Sequence, residues 1–187
     1  MALVQRAALR NSKTGDHPDL TNFFIDTEFA ETGGQPIPTI DLISIGMISE
    51  TGDEFYAESS EFNIDNCDDW VKKNVLTKLG PPEKRIKRSE IALQLRAFLG
   101  AEPVVYGYYC SYDWVVFCWL FGKMVDLPKG YPMRCRDLQQ TWVDLGRPAD
   151  VKPPSPKDAH NALADAIWTK TFYDNLKAYE DKNSGRP

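Results

Sequence analysis

The sequence predicts a single α/β domain with a mixed sheet, in which an antiparallel meander continues into parallel strands and helices flank the sheet. Three strand-like segments come first, and strands alternate with helical segments afterwards, an order typical of such a layer. The length of 187 residues favours one domain. We expect an N-terminal arm over 1–20, the domain over 21–180 and a tail over 181–187.

The first third of the chain predicts the meander. An apolar run that ends in an acid, Leu20–Asp26, is the first strand, and the alternating, β-branched stretch Ile40–Ser49 is the second. The tight-turn residues Thr51–Asp53 then lead into a third strand over Glu54–Ser60. The glycines and prolines of 30–39 indicate a loop between the first two strands.

The rest of the chain predicts helices that alternate with single strands. Helical spacing of apolar residues supports the helix that Ser89 opens. The other expected elements are a short helix over Asp68–Val75, strands over Val104–Tyr106 and Tyr131–Cys135, helices over Asp113–Phe121 and Asp137–Leu145, and a last helix from Asp158 or Ala159 to about Tyr179.

Composition limits the classes of function. The net charge of −5 argues against a purely electrostatic nucleic-acid binder. The apolar run Val104–Phe121 approaches membrane-spanning length, but Asp113 within it would cost about 3 kcal/mol in a bilayer, so we expect no membrane partner. Four cysteines without C-x-x-C spacing and two histidines do not suit a zinc cage, and they favour a reducing, cytoplasmic setting.

Four acids and one histidine stand at predicted strand ends and helix starts. Asp26 and Glu28 are two positions apart, so on a strand they point the same way. Asp113 follows a buried strand, where a helix N-cap is the alternative role. Asp165 follows His160 by five positions, about 140° around an ideal helix, so His160 must bend back from the first turn to share a site.

This set of side chains suits phosphodiester hydrolysis. Carboxylate oxygens are hard ligands that suit Mg²⁺ or Mn²⁺ rather than zinc. Two such ions about 4 Å apart stabilise the attacking and leaving oxygens of an in-line displacement. A histidine that titrates near neutral pH can take the proton of the attacking water.

The order and local sequences resemble the DEDD 3′–5′ exonucleases of the ribonuclease H-like fold, in the subgroup with His-x4-Asp. Three segments, Phe24–Phe29, Asp41–Gly46 and Asp158–Ala166, resemble the bacterial ribonuclease AS family most closely. The resemblance covers the chain from about Asn22 to Tyr179. Ser44 stands where many proofreading relatives carry an acid, which argues against polymerase proofreading.

The resemblance implies roles for each of these residues. Asp26, Glu28 and Asp165 would bind a first metal ion, Asp26 would bridge to a second that Asp113 holds, and His160 would be the general base. The family degrades single-stranded RNA from its 3′ end to nucleoside 5′-monophosphates, some members favour adenylate, and members are dimers. The expected cofactors are therefore two Mg²⁺ or Mn²⁺ ions.

Substrate contacts are predicted at two places. Phe29 follows the acid pair and is a candidate for stacking on the terminal base, with a core role as the alternative. The stretch 72–88 carries a charge of +6, which leaves −11 for the rest of the chain. We expect it to track phosphates through Lys84, Arg85, Lys87 and Arg88, a solvated surface being the alternative.

Two other functions fit the same residues. A DNA exonuclease or a scavenger of short oligonucleotides would use the same site, because the chemistry is common to all of them. A non-catalytic RNA-binding module that kept the fold is the third possibility, and the presence of all five catalytic residue types argues against it.

Overall fold

The computed structural model of the chain describes residues 20–32, 37–154 and 159–184. The predicted arm therefore lies outside the described residues apart from Leu20, as do residues 185–187 of the predicted tail. Within the described ranges, no helix is long and apolar enough to cross a membrane.

The centre of the fold is a mixed sheet of five strands in the order β3-β2-β1-β4-β5. β1 pairs with β2 and β2 with β3 in antiparallel fashion, whereas β1, β4 and β5 run parallel. The fold class predicted from the sequence is confirmed. The strands are β1 (Asn22–Thr32), β2 (Thr39–Ser49), β3 (Glu54–Glu58), β4 (Val104–Gly107) and β5 (Arg136–Asp137).

Helices cover both faces of the sheet. They are α1 (Asp69–Asn74), α2 (Arg88–Leu99), α3 (Ser111–Phe121), α4 (Leu138–Asp144) and α5 (Ala162–Asn183). Short 3-10 turns lie at Ile64–Asn66, Leu76–Lys78, Pro82–Lys84 and Met124–Asp126.

Alternation along β1 decides what each face of the sheet carries. Phe23 and Ile25 belong to a buried cluster that includes residues of α2 and α3. Phe24 belongs to the cluster on the opposite face, with residues of α4 and α5. Because side chains two positions apart on a strand share a face, Asp26 and Glu28 follow Phe24 onto the face that α5 covers.

A bulge in β2 lies beside Glu28. Glu28 is opposite Ser44, but the next residue, Phe29, is opposite Leu42, so Ile43 is the extra residue of the pair. Bulges of this kind re-aim side chains and are common next to active sites. Ile43 is fully buried in a third cluster with residues of the segment that follows β3.

Two predicted strands have different bounds in the structure. The first strand was expected to end at Asp26, but β1 continues to Thr32 because its pairing with β2 continues to Thr39. The acid pair therefore lies inside a strand. The fifth strand was expected over Tyr131–Cys135, and the parallel pairing with β4 instead selects Arg136–Asp137. Tyr131 packs its ring against Phe117 and Phe121 of α3.

Two predicted helix starts also move. α3 begins at Ser111, with Cys110 as its N-cap, so Asp113 is not the cap residue. α5 begins at Ala162, because the Asn161 side chain caps it by accepting a hydrogen bond from the Ala164 N–H at 3.0 Å. The predicted start at Ala159 is wrong, and the alternative start, Asp158, lies outside the described residues. α5 ends at Asn183, inside the stretch expected to be tail.

Candidate active site

The acid pair of β1 lies under the start of α5. Gly46 is the β2 residue opposite Asp26. A Cβ atom at Gly46 would lie 2.3 Å from the backbone carbonyl of Ala162, a distance that real atoms do not adopt. Only glycine therefore lets the first turn of α5 rest directly on the sheet, and this close approach brings the residues around Ala162 over Asp26 and Glu28.

Asp113 reaches the same place from α3. It is 8% exposed, and its Oδ1 accepts hydrogen bonds from both the backbone N–H and the hydroxyl of Thr27, at 2.8 and 2.7 Å. Thr27 is the residue between Asp26 and Glu28, so these two bonds join α3 to the acid pair. Both bonds end on Oδ1, and neither occupies Oδ2.

His160 and Asp165 meet because the chain turns back before the helix. His160 precedes the N-cap of α5 and has a left-handed φ of 69°. Its backbone N–H donates to Asp165 Oδ2 at 2.7 Å. The prediction that His160 lies in the first helical turn is wrong, but the predicted meeting with Asp165 occurs. Ligand atoms of Glu28, His160 and Asp165 lie within 4.8 Å of one another, so this group could hold a metal ion.

Burial and mutual repulsion dominate the electrostatics of the four acids. Burial, followed by the charges of Asp113, Glu28 and Asp165, raises the pKa of Asp26 well above its usual range. Burial and the neighbouring Asp165 and Asp113 raise the pKa of Glu28 to about 8. A cluster of this kind favours either bound protons or bound cations.

The pKa values of the other two acids, Asp113 and Asp165, are raised as well. Burial raises the pKa of Asp113, although the hydrogen bonds from Thr27 counter part of the rise. Burial likewise raises the pKa of Asp165, and the N–H of His160 counters it. All four predicted acids therefore have raised pKa values, and burial is the largest cause in each case.

Four residues contribute to the site through contacts that the sequence did not reveal: Thr27, Gly46, Trp70 and Lys78. The Lys78 ammonium donates to the carbonyl of Ala159 and opposes the raised pKa values of Glu28 and Asp165. The Trp70 ring contacts the His160 ring edge-on, with centroids 4.7 Å apart. Lys78 and Ala159 are 81 positions apart, and sequence spacing cannot reveal such contacts.

The predicted substrate contacts differ in their surroundings. The Phe29 ring lies 5.8 Å from that of Tyr112 and packs against the core cluster of α2 and α3. Arg85 is paired with Glu58, at 3.4 Å, and Arg88 with Asp41. These two arginines thus already have carboxylate partners, whereas Lys84 and Lys87 are exposed.

Removal of the Thr27 hydroxyl tests the link between α3 and the acid pair. We expect Thr27→Val to lower metal affinity or activity by about 10- to 100-fold, because Asp113 loses one of the donors that orient it. Thr27→Ser should restore most of the loss. Metal titration and initial rates measure both variants. Thr171→Val is the control, because its hydroxyl donates only within the exposed part of α5, and an equal loss there would contradict the account.

Solved structures share this fold. The chain is similar to exonuclease I with product bound (14% identity, TM-score 0.60, 88% of this chain and 45% of that chain) and to E. coli exonuclease I in complex with a dT13 oligonucleotide (16%, 0.58, 88% and 42%). It spans less than half the length of those proteins. These likenesses show that the chain has the fold of the exonuclease I structures.

Sequence similarity shows the family to which the chain belongs. Residues 21–176 match the family described as the 3′–5′ exoribonuclease Rv2179c-like domain, and the chain belongs to this family. The 3′–5′ exoribonuclease Rv2179c of Mycobacterium tuberculosis (strain ATCC 25618 / H37Rv) is 43% identical over 150 residues, covering 77% of this chain and 86% of that protein. The 3′–5′ exoribonuclease MT2234.1 of strain CDC 1551 / Oshkosh matches to the same extent. The predicted exonuclease family is thereby confirmed.

Proposed function

We propose that this chain removes nucleoside 5′-monophosphates one at a time from the 3′ end of single-stranded RNA. Family membership supports an exoribonuclease, as does the name of a relative 43% identical. The observation that carries the proposal is that His160 and Asp165 lie next to Glu28 of β1, with the ligand atoms of all three within 4.8 Å of one another.

Two divalent cations, Mg²⁺ or Mn²⁺, are the cofactors we propose. The donors fit them, because four carboxylates with raised pKa values lie close together and offer hard oxygen ligands. Asp26, Glu28 and Asp165 would hold one ion, and Asp26 and Asp113 the other. When bound, the ions would stabilise charge on the attacking and leaving oxygens of the phosphodiester.

The protein's own residues supply position and proton transfer. The His160 imidazole accepts a proton from the water that attacks the last phosphorus of the RNA. A bond from the water oxygen to phosphorus forms as the bond from phosphorus to the 3′-oxygen of the preceding nucleotide breaks. That oxygen takes up a proton, which leaves a new 3′-hydroxyl and a free nucleoside 5′-monophosphate.

The basic stretch is proposed to guide the RNA backbone. Of the four side chains predicted to do so, Lys84 and Lys87 are exposed, whereas Arg85 and Arg88 have carboxylate partners. The double change Lys84→Ala and Lys87→Ala should reduce the slope of log affinity against log salt by about 1.4, since each phosphate contact to a single strand contributes about 0.7. Binding of a fluorescent RNA at several salt concentrations measures the slope. Lys177→Ala on the outer side of α5 is the control, and an unchanged slope in the double variant would refute the patch.

Four finer proposals remain, of which the adenylate preference and the dimer come from the family resemblance. Phe29 would stack on the terminal base, and adenylate would be preferred, which initial rates on poly(A) and other homopolymers measure. The protein would act in the cytoplasm as a homodimer. The exposed outer face of α3, formed by Tyr112, Val115 and Trp119, supports such a dimer, because exposed apolar patches mark association sites. Sedimentation velocity tests it.

Metal binding should depend on pH. Because the pKa of Glu28 is raised from 4.5 to about 8, metal must displace its proton at neutral pH, and metal affinity should rise with pH up to about 8. The raised pKa of Glu28 also makes the stability of the metal-free fold depend on pH. Its contribution to stability is fully present below about pH 4.5 and is lost as the pH rises through about 8. Calorimetry in buffers of different protonation enthalpy, with Glu28→Gln for comparison, measures the released proton. Proton-independent binding would contradict this picture.

Matched RNA and DNA strands separate the proposed function from its alternatives. An exoribonuclease shortens the RNA faster than DNA of the same sequence, and it acts on long strands. Faster shortening of the DNA would identify a DNA exonuclease, and activity confined to short oligonucleotides would identify a scavenger. Binding without shortening of either strand would identify a non-catalytic module.

A further inference from the structure

Trp70 makes an unusual contact for a surface residue. It lies in the first turn of α1, and 52% of it is exposed, so burial in the core does not explain its position. Its indole meets the His160 imidazole nearly at a right angle, with an interplanar angle of 79° and centroids 4.7 Å apart. Edge-to-face packing of this kind is a favourable and orientation-dependent contact between rings.

Lys78 contacts the same loop from the 3-10 turn that follows α1. Its ammonium donates to the carbonyl of Ala159, the peptide that leads into His160. The same ammonium lies close enough to Glu28 and Asp165 to lower the pKa of each. Lys78 therefore places one positive charge on the loop and near two of the site's carboxylates.

The segment that carries both residues is fixed beside the acid pair. Val75, which is 1% exposed, packs with Ile43 of the β2 bulge and with Ala30, two residues after Glu28. Asp68 caps α1 by accepting from the Val71 N–H at 2.7 Å. The packing next to Glu28 thus also sets where Trp70 and Lys78 lie.

His160 is a residue whose conformation needs support. A left-handed φ is uncommon for a residue that is not glycine, and surrounding contacts must hold it. On the helix side, the bond from its N–H to Asp165 supplies one such contact. We propose that Trp70 and Lys78 are positioning residues for His160, Trp70 orienting the imidazole and Lys78 fixing the preceding peptide. This inference rests on the proposed role of His160 as the general base.

The orientation of the His160 ring can be measured by NMR, without an assay of enzyme activity. The sequence contains two histidines, His17 and His160, so the imidazole resonances are readily assigned by comparison with His160→Asn. The indole ring current should displace the His160 ring protons. Trp70→Leu should remove the displacement and Trp70→Phe should retain part of it, in metal-free protein at fixed pH. Unchanged His160 resonances in Trp70→Leu would overturn the role of Trp70.

Kinetics on the full chain with Mg²⁺ then test whether position matters to the reaction. Trp70→Leu and Lys78→Met should each lower kcat by about 10- to 100-fold with KM nearly constant, because small displacements of a catalytic group have effects of this size. Trp70→Phe and Lys78→Arg should recover much of the rate. Lys177→Met is the control for loss of a lysine. A raised KM with normal kcat would overturn the proposal and assign these residues to substrate binding.

A double-mutant cycle separates this inference from the proposed function. In a His160→Asn background, Trp70→Leu should cost nothing further, because the group it positions is gone. A full additional loss in that background would overturn the positioning role. If His160→Asn by itself leaves kcat unchanged, the general-base assignment fails, whereas the resonance measurement still reports whether Trp70 orients the ring.

Discussion

Replacement of Asp26 by Asn should lower the rate of RNA hydrolysis by at least about 10³-fold, because a charge stabilisation of several kcal/mol depends on this carboxylate. The charges of Asp113, Glu28 and Asp165 all raise the pKa of Asp26, and in the proposed site Asp26 would contribute to both cation positions. Asparagine preserves the shape but removes the charge. Initial rates at saturating Mg²⁺ measure the loss.

The same variant should make the metal-free protein more stable. Burial and repulsion oppose ionisation of Asp26 in the fold, so a neutral side chain removes an unfavourable interaction at pH 8. We expect thermal unfolding in EDTA to shift upward by about 2–4 °C, as for a gain of about 1 kcal/mol in a chain of this size. Asp174→Asn, at an exposed ion pair on α5, is the control. If the Asp26→Asn protein were less stable than wild type and still active, the role of Asp26 would be structural rather than catalytic.

Replacement of His160 by Ala should lower kcat by about 10²- to 10⁴-fold, the usual contribution of a general base. KM and metal affinity should change far less, because carboxylates supply most of the proposed ligands. Single-turnover rates on a short RNA measure the chemical step directly. His17→Ala, at the other histidine of the chain, is the matched control. A His160→Ala protein that keeps its rate within tenfold would exclude His160 as the base.

The sequence was sufficient to predict the fold class and to name four acids that lie near one another in the structure. Alternation in β2 and the spacing of Asp26 and Glu28 are local properties, and local properties persist when the chain folds. The order of the acids along the chain then indicated that they meet. The extent of β1 was not predictable in this way, because residues 27–32 are held in the strand by pairing with β2.

Contacts between distant parts of the chain account for the other differences. Thr27 donates to a carboxylate 86 positions away, and no periodicity connects the two. Arg88 pairs with Asp41 across 47 positions, so the count of charges along 72–88 includes an arginine that already has a carboxylate partner. His160 was expected to be helical, whereas the Asn161 cap places it before the helix and gives it the turn that the site needs.

A 5′-labelled single-stranded RNA, incubated with the protein and Mg²⁺, shows whether the protein is a metal-dependent 3′–5′ exoribonuclease. We expect a ladder that shortens by single nucleotides from the 3′ end as nucleoside 5′-monophosphates are released. The shortening should stop in EDTA and be lost in Asp26→Asn. Internal cleavage, shortening that continues at the wild-type rate in Asp26→Asn, or no shortening of any single strand would contradict it.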